Sequence, residues 1–235
     1  MTQNSLNDLF DYDYMIYQND DFFKFSIDSV LLAEFVEKKK GQKKFIDLCS
    51  GNAPVPMILN KLYGDSIDIT GVELQPEVYE LGKSSIEYNK ITNINYINED
   101  IKNLKLDHTY DVVTCNPPYF IVNDTNLVND NKIKAIARHE IAIDLEDVIR
   151  ISSGLLKNQG YFYMVHHQDR LADIIVLLNK YHLGLKKVQP IYNDENSECC
   201  FVLIEAIYNG KNYVKIEQPV YLNKYTSYKN IFRKW

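Results

Sequence analysis

The sequence contains no apolar run approaching the roughly 18–20 residues that cross a bilayer. Its opening residues, Thr2, Gln3, Asn4 and Ser5 followed by several aspartates, lack the basic-then-apolar order of a secretion signal. Cysteine is scarce: 4 in 235 residues, at positions 49, 115, 199 and 200, with no metal-ligand spacing. All four lie in or beside apolar, strand-like segments, and adjacent cysteines rarely pair with each other, so they read as reduced, buried small residues. These absences argue against a membrane span, an exported disulfide scaffold and a metal module, and they favour a cytoplasmic chain with no membrane or metal partner. Net positive charge is missing too: the formal charge is −6, which does not advertise a nucleic-acid partner. Finally, the phosphate-cradling pattern G-x-G-x-x-G is absent, with Cys49 and Ala53 standing on either side of Gly51. A pyrophosphate ligand is disfavoured, and a ligand without phosphates stays open.

Strand and helix signals alternate through most of the chain. Strands are predicted over 45–48, 67–73, 94–98, 110–115 and 161–166. Helices are predicted from Ser26 or Asp28 to Lys38 and over 54–63, 76–89, 146–157 (stopped at Gly160) and 168–181. Residues 185–192 and 199–208 alternate as an antiparallel hairpin at a sheet edge. The length suits a single α/β domain over 1–235, with a lead-in of loops and short pieces at 1–25, a polar insertion at 120–137 and a distinct tail at 211–235. The insertion reads either as a mobile substrate loop or as surface loop with no role.

Polar residues recur at the carboxyl ends of these strands, where open α/β sheets bind ligands. Asp47 leads into Cys49-Ser50-Gly51-Asn52-Ala53-Pro54, a small-residue turn before a helix, where Gly51 lets backbone approach a ligand. Glu73 ends the second strand, where a carboxylate can accept both hydroxyls of a ribose. Asp100 ends the third, placed either to accept the exocyclic amine of an adenine or simply to form a turn. The fourth ends in Asn116-Pro117-Pro118-Tyr119. Neither proline can extend a ladder, and the residue before a proline is held extended, so the chain must leave the sheet stiffly. The Asn116 side chain and the Pro117 carbonyl then point in fixed directions. Two acceptors beside an aromatic ring suit a planar amine, with Tyr119 stacked on the attached ring. The alternative is a plain strand exit with an asparagine cap and a core tyrosine.

These four groups in this order resemble a class I S-adenosylmethionine-dependent methyltransferase of the amino-methylating type. More narrowly, the chain resembles the bacterial tRNA1(Val) (adenine-37 N(6))-methyltransferase family. That likeness rests on Gln18-x4-Phe23-Lys24-Phe25-Ser26-Ile27-Asp28, Gly71-Val72-Glu73-Leu74-Gln75, Ala137-Arg138-His139-Glu140 and Val165-His166-His167-x2-Arg170-Leu171-Ala172-Asp173-Ile174, and it covers about residues 14–228. His167 departs from the pattern, standing where arginine is common, which weakens any phosphate contact there. The resemblance implies a Rossmann-like α/β fold: a seven-stranded, mostly parallel sheet with a reversed edge strand and helices on both faces. It implies S-adenosylmethionine held by Phe25, Asp28, Asp47, Cys49, Gly51, Glu73, Leu74, Asp100, Ile101 and Asn116, with Phe25 and Asp28 over its methionine end. Catalysis then falls to Asn116, Pro117 and Tyr119, and tRNA contacts to Pro118, Tyr119, Arg138, Lys224, Lys229 and Arg233. Arg138 and His139 would grip phosphate, or Arg138 and Glu140 would pair to fix the loop. A monomer or weak homodimer is expected.

The charge distribution bears on the substrate. Residues 1–28 hold six aspartates and one lysine. The tail holds Lys211, Lys215, Lys224, Lys229, Arg233 and Lys234 against Glu217 alone, interleaved with Tyr213, Tyr221, Tyr225, Tyr228, Phe232 and Trp235. Lysines meet phosphates and rings stack on unpaired bases, so the tail suits RNA, as against a merely solvated surface. The run Lys38-Lys39-Lys40-Gly41-Gln42-Lys43-Lys44 reads more simply as a solvated loop. Competing functions are methylation of guanine N(2) in ribosomal RNA or of a protein glutamine, both served by an Asn-Pro-Pro-aromatic turn. A nicotinamide oxidoreductase lacks its glycines here, and a non-catalytic RNA-binding module would leave the Asn116 motif unexplained.

Overall fold

In a computed structural model of the chain, residues 4–9, 12–19, 21–22, 25–118 and 144–225 are described. The elements are β1 (Ser5–Asp8), β2 (Met15–Gln18), α1 (Ile27–Phe35), β3 (Lys44–Leu48), α2 (Pro54–Tyr63), β4 (Asp68–Glu73), α3 (Pro76–Tyr88), β5 (Ile94–Asn98), β6 (Tyr110–Cys115), α4 (Leu145–Leu155), β7 (Leu156–His167), α5 (Leu171–Lys180), β8 (Leu183–Tyr192), β9 (Cys199–Tyr208), β10 (Lys215–Ile216) and β11 (Val220–Tyr221). Pro54 and Pro76 open α2 and α3, where a missing N–H leaves no bond unmade.

The main sheet runs β10-β8-β9-β7-β6-β3-β4-β5, with β11 also on β8. Strands β3 to β7 are mutually parallel. The expected seven strands are β3 to β9, and the two-residue strands β10 and β11 lengthen one edge. The edge hairpin forms as expected, but its reversed member is not outermost. β9 runs antiparallel to both β7 and β8 and lies between them.

Alternation along the strands sends side chains to two cores. Phe45, Val112, Tyr163 and Leu203 pack with Val30 and Leu32 of α1 and Met57 and Ile58 of α2. Ile46, Leu48, Val113, Phe162 and Ile204 pack on the other face with Ile149 of α4 and Ile174 of α5. A slip of one residue would exchange the two sets, so burial on both faces fixes the register. Helix α1 stops at Phe35, short of the expected Lys38, and Val36 is already extended. The lysine run is therefore loop, at the amino end of β3 and the far end of the sheet from the strand-end acids; Lys39 pairs with Glu37 at 2.6 Å. α4 ends at Leu155 because Leu156 already pairs with Tyr110. Gly160, expected to stop that helix, lies instead inside β7, beside a register shift that carries Val112 onto Tyr161.

The lead-in is more ordered than expected. β1 and β2 form an antiparallel hairpin outside the main sheet, laced to α3. Asn89 accepts from Met15 N (2.9 Å) and donates to Met15 O (2.6 Å), and Tyr17 N donates to Ser85 Oγ (2.9 Å). At the opposite edge, β10 and β11 run parallel to β8 and climb from Lys187 to its carboxyl end at Tyr192. A 3-10 turn follows, and Tyr225 donates to Glu34 of α1.

Candidate active site

The turn after β3 takes the backbone that glycines would supply. Cys49 (φ 56°), Gly51 (φ 58°) and Ala53 (φ 72°) are all left-handed. The two outer positions thus keep the glycine conformation while carrying side chains, at a cost of about 1–2 kcal/mol each. Hydrogen bonds from every side offset that cost. Ser50 N donates to Val72 O (2.9 Å), Gly51 N to Glu73 Oε2 (2.9 Å) and Asn52 Nδ2 to Tyr17 O (2.8 Å). The Tyr96 hydroxyl donates to Gly51 O.

Asp47 lies beneath this turn, 1% exposed, accepting from Ser50 Oγ (2.6 Å) and Thr114 Oγ1 (2.5 Å). Burial pushes its carboxyl up to about 7 against those two hydroxyl bonds, with the Glu73 charge adding to the rise. Its direct role is to brace the turn. Glu73 is 5% exposed at the tip of β4, and its second oxygen accepts from Gln75 N at 2.8 Å. Burial raises its carboxyl too, opposed by the backbone N–H groups of Gln75 and Gly51. Asp100 caps the 3-10 turn after β5, accepting from Lys102 N at 2.9 Å, so one oxygen does the turn-forming work. Beside these acids, Leu74 is 41% exposed at the rim and Ile101 is buried in the α4–α5 core. Cys49 and Cys115 are free thiols side by side, and burial with the neighbouring Cys49 raises the Cys115 thiol.

Asn116 follows β6 directly, beside this turn, since Leu48 and Cys115 are register partners. Asn116 is half-buried, Pro117 buried and Pro118 exposed. Asn116 Nδ2 donates to Ser29 Oγ on α1 at 2.9 Å. Asp28, in the same turn of α1, is buried, accepting from Ser29 N (2.9 Å) and from Ser26 Oγ. Phe25 packs against the α1–α2 core just ahead of it. The structure therefore gathers Phe25, Asp28, Asp47, Cys49, Gly51, Glu73, Asp100 and Asn116 around the carboxyl ends of β3 to β6. Asp47, Glu73 and Asp100, with Asp28, bring carboxyl oxygens to these strand ends, and no basic side chain among the residues gathered there is placed to hold a pyrophosphate.

Tyr119, the loop 120–137, Arg138, Lys229 and Arg233 lie outside the described residues. Lys224 is ion-paired with Glu195 and Lys215 with Glu217, so part of the tail's positive charge is locally compensated. At the end of β7, His166 is buried and its imidazole is pushed down to about 4, chiefly by burial, which keeps it neutral near pH 7. His167 tilts against Phe201 with ring centres 4.8 Å apart. Sequence reasoning missed Ser29, Ser50, Asn52, Tyr96 and Thr114 as supports of the site. The signal for Tyr96 was legible in retrospect: Gly71, its register partner, and Gly82 both leave room for its ring.

The model of the methyltransferase domain family matches residues 39–221. The chain belongs to that family. This methyltransferase is 23% identical over 189 residues to the tRNA1(Val) (adenine(37)-N6)-methyltransferase of Pedobacter heparinus, covering 80% of this chain and 79% of the relative. It is 31% identical over 149 residues to the release factor glutamine methyltransferase of Francisella tularensis, covering 61% and 51%. Among solved structures it is similar to a predicted O-methyltransferase of Agrobacterium tumefaciens (TM-score 0.65, 19% identity, 82% and 86% covered). It is also similar to M. jannaschii TYW2 in complex with AdoMet (TM-score 0.59, 13% identity, 88% and 86% covered). The expected class I methyltransferase fold is thereby confirmed. Among the described residues, no helix of this methyltransferase is long and apolar enough to cross a membrane.

Proposed function

We propose that this methyltransferase uses S-adenosylmethionine to methylate the exocyclic amine of an adenine in tRNA, at position 37 beside the anticodon, and that one domain carries both sites. The observation that carries the reading is the Asn116-Pro117 corner standing at the end of β6 beside the Gly51 turn. The cofactor, when bound, supplies a methyl already electrophilic on a sulfonium, so the protein needs neither a metal nor a strong base. In the proposed site, the remaining lone pairs of Glu73 accept the ribose hydroxyls and the second Asp100 oxygen accepts the adenine amine. Leu74 and Ile101 flank that ring, and Asp28 and Phe25 close over the methionine end.

The acceptor amine is a weak nucleophile because its lone pair is delocalised into the purine. Asn116 Oδ1 and the Pro117 carbonyl accept its two N–H bonds, which draws the nitrogen toward pyramidal geometry and frees the lone pair. Positioning and polarisation supply most of the acceleration. Tyr119 stacks on the base, which is cheap to unstack when it comes from a single-stranded loop. The proton leaves to water once the nitrogen is cationic. Pro118, Arg138, Lys224, Lys229 and Arg233 contact the RNA, and Lys224 must exchange its Glu195 partner to do so. What favours tRNA is the length over which the tRNA-modifying relative aligns, together with the lysine–aromatic tail. The release-factor relative supports a second reading, because a glutamine amide presents the same two N–H bonds to the same corner.

Labelled cofactor incubated in parallel with bulk tRNA, ribosomal subunits and release factor separates the readings. The expected outcome is label in tRNA as N(6)-methyladenine, lost in Asn116→Ala while affinity for S-adenosylhomocysteine stays within a few-fold. Glu73→Ala should chiefly weaken cofactor binding. Label in release factor or ribosomal RNA alone would overturn the tRNA assignment.

A further inference from the structure

Alternation along a strand sends neighbouring residues to opposite faces of a sheet. Leu48 and Cys115 are register partners on β3 and β6, and both are buried in the core beneath α4 and α5. Cys49 follows Leu48, so an extended chain would put its thiol on the other face. Its backbone is left-handed instead (φ 56°), and its side chain packs against the same core as Cys115. Neighbouring strands lie about 4.8 Å apart and one residue advances about 3.3 Å, so the diagonal from Cys115 to the residue after its partner is about 5.8 Å. That is the Cα separation a disulfide prefers. Both thiols are free, and they are already hydrogen-bond neighbours.

We infer that Cys49 and Cys115 form an oxidative modification site, where a peroxide joins them in a disulfide that distorts the Gly51 turn and weakens its hold on the cofactor. The effect on binding rests on the proposed role of that turn; the disulfide itself does not. Cys49 is partly exposed and Cys115 wholly buried, so Cys49 meets the oxidant. Its thiolate attacks a peroxide oxygen and the O–O bond breaks. A sulfenic acid forms, and the departing hydroxide takes up the thiol's proton as water. The Cys115 sulfur then attacks the sulfenic sulfur, the S–S bond forms, and the Cys115 proton leaves with the hydroxyl as a second water. The two thiols give up two electrons and the peroxide takes them. Burial and the neighbouring Cys49 hold the proton on Cys115, which suits it to react second. Bonding draws the sulfurs to about 2.05 Å, well inside non-bonded contact. Cys115 lies on a strand paired on both sides, by β3 and β7, so the turn must yield. That turn carries the bond from Gly51 N to Glu73 Oε2 at 2.9 Å, which ties the two cofactor-facing groups together. Cys199 and Cys200 are engaged elsewhere, donating to the carbonyls of Phe201 and Ile191 (3.2 Å each).

The test uses the whole chain carrying Cys199→Ser and Cys200→Ser, which leaves Cys49 and Cys115 as its thiols. If those changes unfold it, the wild type is used and the linked peptides are mapped. The protein is treated with a small excess of hydrogen peroxide and the remaining thiols are alkylated. Intact mass and S-adenosylhomocysteine affinity are then measured before and after dithiothreitol. The expected result is a loss of about 2 Da and a proteolytic pair joining positions 49 and 115. Affinity should fall on the order of 10- to 100-fold and return with dithiothreitol. Saturating S-adenosylhomocysteine should slow the cross-link. Cys115→Ala should bind as the reduced protein does and, under peroxide, yield over-oxidised Cys49 that dithiothreitol does not restore. Absence of the 49–115 cross-link overturns the inference, and so does a cross-linked protein of unchanged affinity. Reduced protein with no affinity for S-adenosylhomocysteine would sink the cofactor reading of the turn and the switch with it, whereas unchanged affinity after cross-linking sinks the switch alone.

Discussion

Ala53 holds a left-handed backbone, φ 72°, with its methyl wholly buried. Ala53→Gly relieves strain of about 1–2 kcal/mol and loses roughly 0.8 kcal/mol of methyl burial plus chain entropy, so the terms nearly cancel. Ala33 is equally buried but sits in right-handed α1. Ala33→Gly should cost about 2 kcal/mol while Ala53→Gly changes stability by less than about 1 kcal/mol, which paired urea titrations would show. Equal losses would mean that the turn carries no strain. Asp47 makes a second test. Its carboxyl is raised to about 7 in the fold and titrates near 4 in the unfolded chain. The folded state therefore binds the extra proton between those values, and apo-protein stability should fall as pH rises from about 4 to 7, then level off. Asp47→Asn should flatten that slope to the part contributed by Glu73, whose carboxyl is also raised by burial; an unchanged slope would place its origin elsewhere. At this scale the sequence was readable where a residue type is demanding, as at Gly51 and the two prolines. It was silent on Ser29, because a serine beside Asp28 looks like any helix start until β6 is folded against it.

Tyr96 links three elements. It stands on β5, stacks on Tyr79 of α3 with centres 5.2 Å apart, and reaches the Gly51 carbonyl of the turn after β3. A methyl on Gly82 would lie 2.6 Å from Tyr96 Cε1, and one on Gly71 2.6 Å from Cδ2. Gly82→Ala removes a flexible residue from mid-helix, which alone favours the helix by up to about 1 kcal/mol. Displacing the ring should outweigh this, for a net loss of about 1–3 kcal/mol and a several-fold weaker affinity for S-adenosylhomocysteine by calorimetry. A stabilised variant with unchanged affinity would show that the ring is not a prop. Element order was legible because β3 to β6 are apolar runs with punctuation between them. Boundaries are less so: Leu155 and Leu156 continue the apolar pattern of α4 toward Lys157, and only pairing with Tyr110 ends the helix. The β1–β2 hairpin leaves little local signal, because its hydrogen bonds to Ser85 and Asn89 are made across the fold.

At the scale of the whole molecule, one edge of the sheet carries an acidic face. An open groove of about 650 Å³ between β2 and α3 is lined by Glu77, Glu80 and Glu87 with Tyr17, Phe22 and Tyr88, a surface that repels a polyanion. α3 packs by β5, at one edge, whereas the tail climbs β8 at the other. RNA should therefore approach over the β8 edge. Truncation after Gln218 should lower tRNA affinity and flatten its dependence on salt, with S-adenosylhomocysteine binding kept as the control for folding. Unchanged RNA affinity would remove the tail from the interface. The placement of β9 between β7 and β8 has a consequence for synthesis. As the nascent chain leaves the ribosome, β8 emerges before the strand that must separate it from β7. Until residue 208 is free, β7 offers an open row of amides and carbonyls that a neighbouring polypeptide can capture. This flank of the enzyme is thus completed after translation has passed it, and chains released before residue 199 are the ones exposed to aggregation.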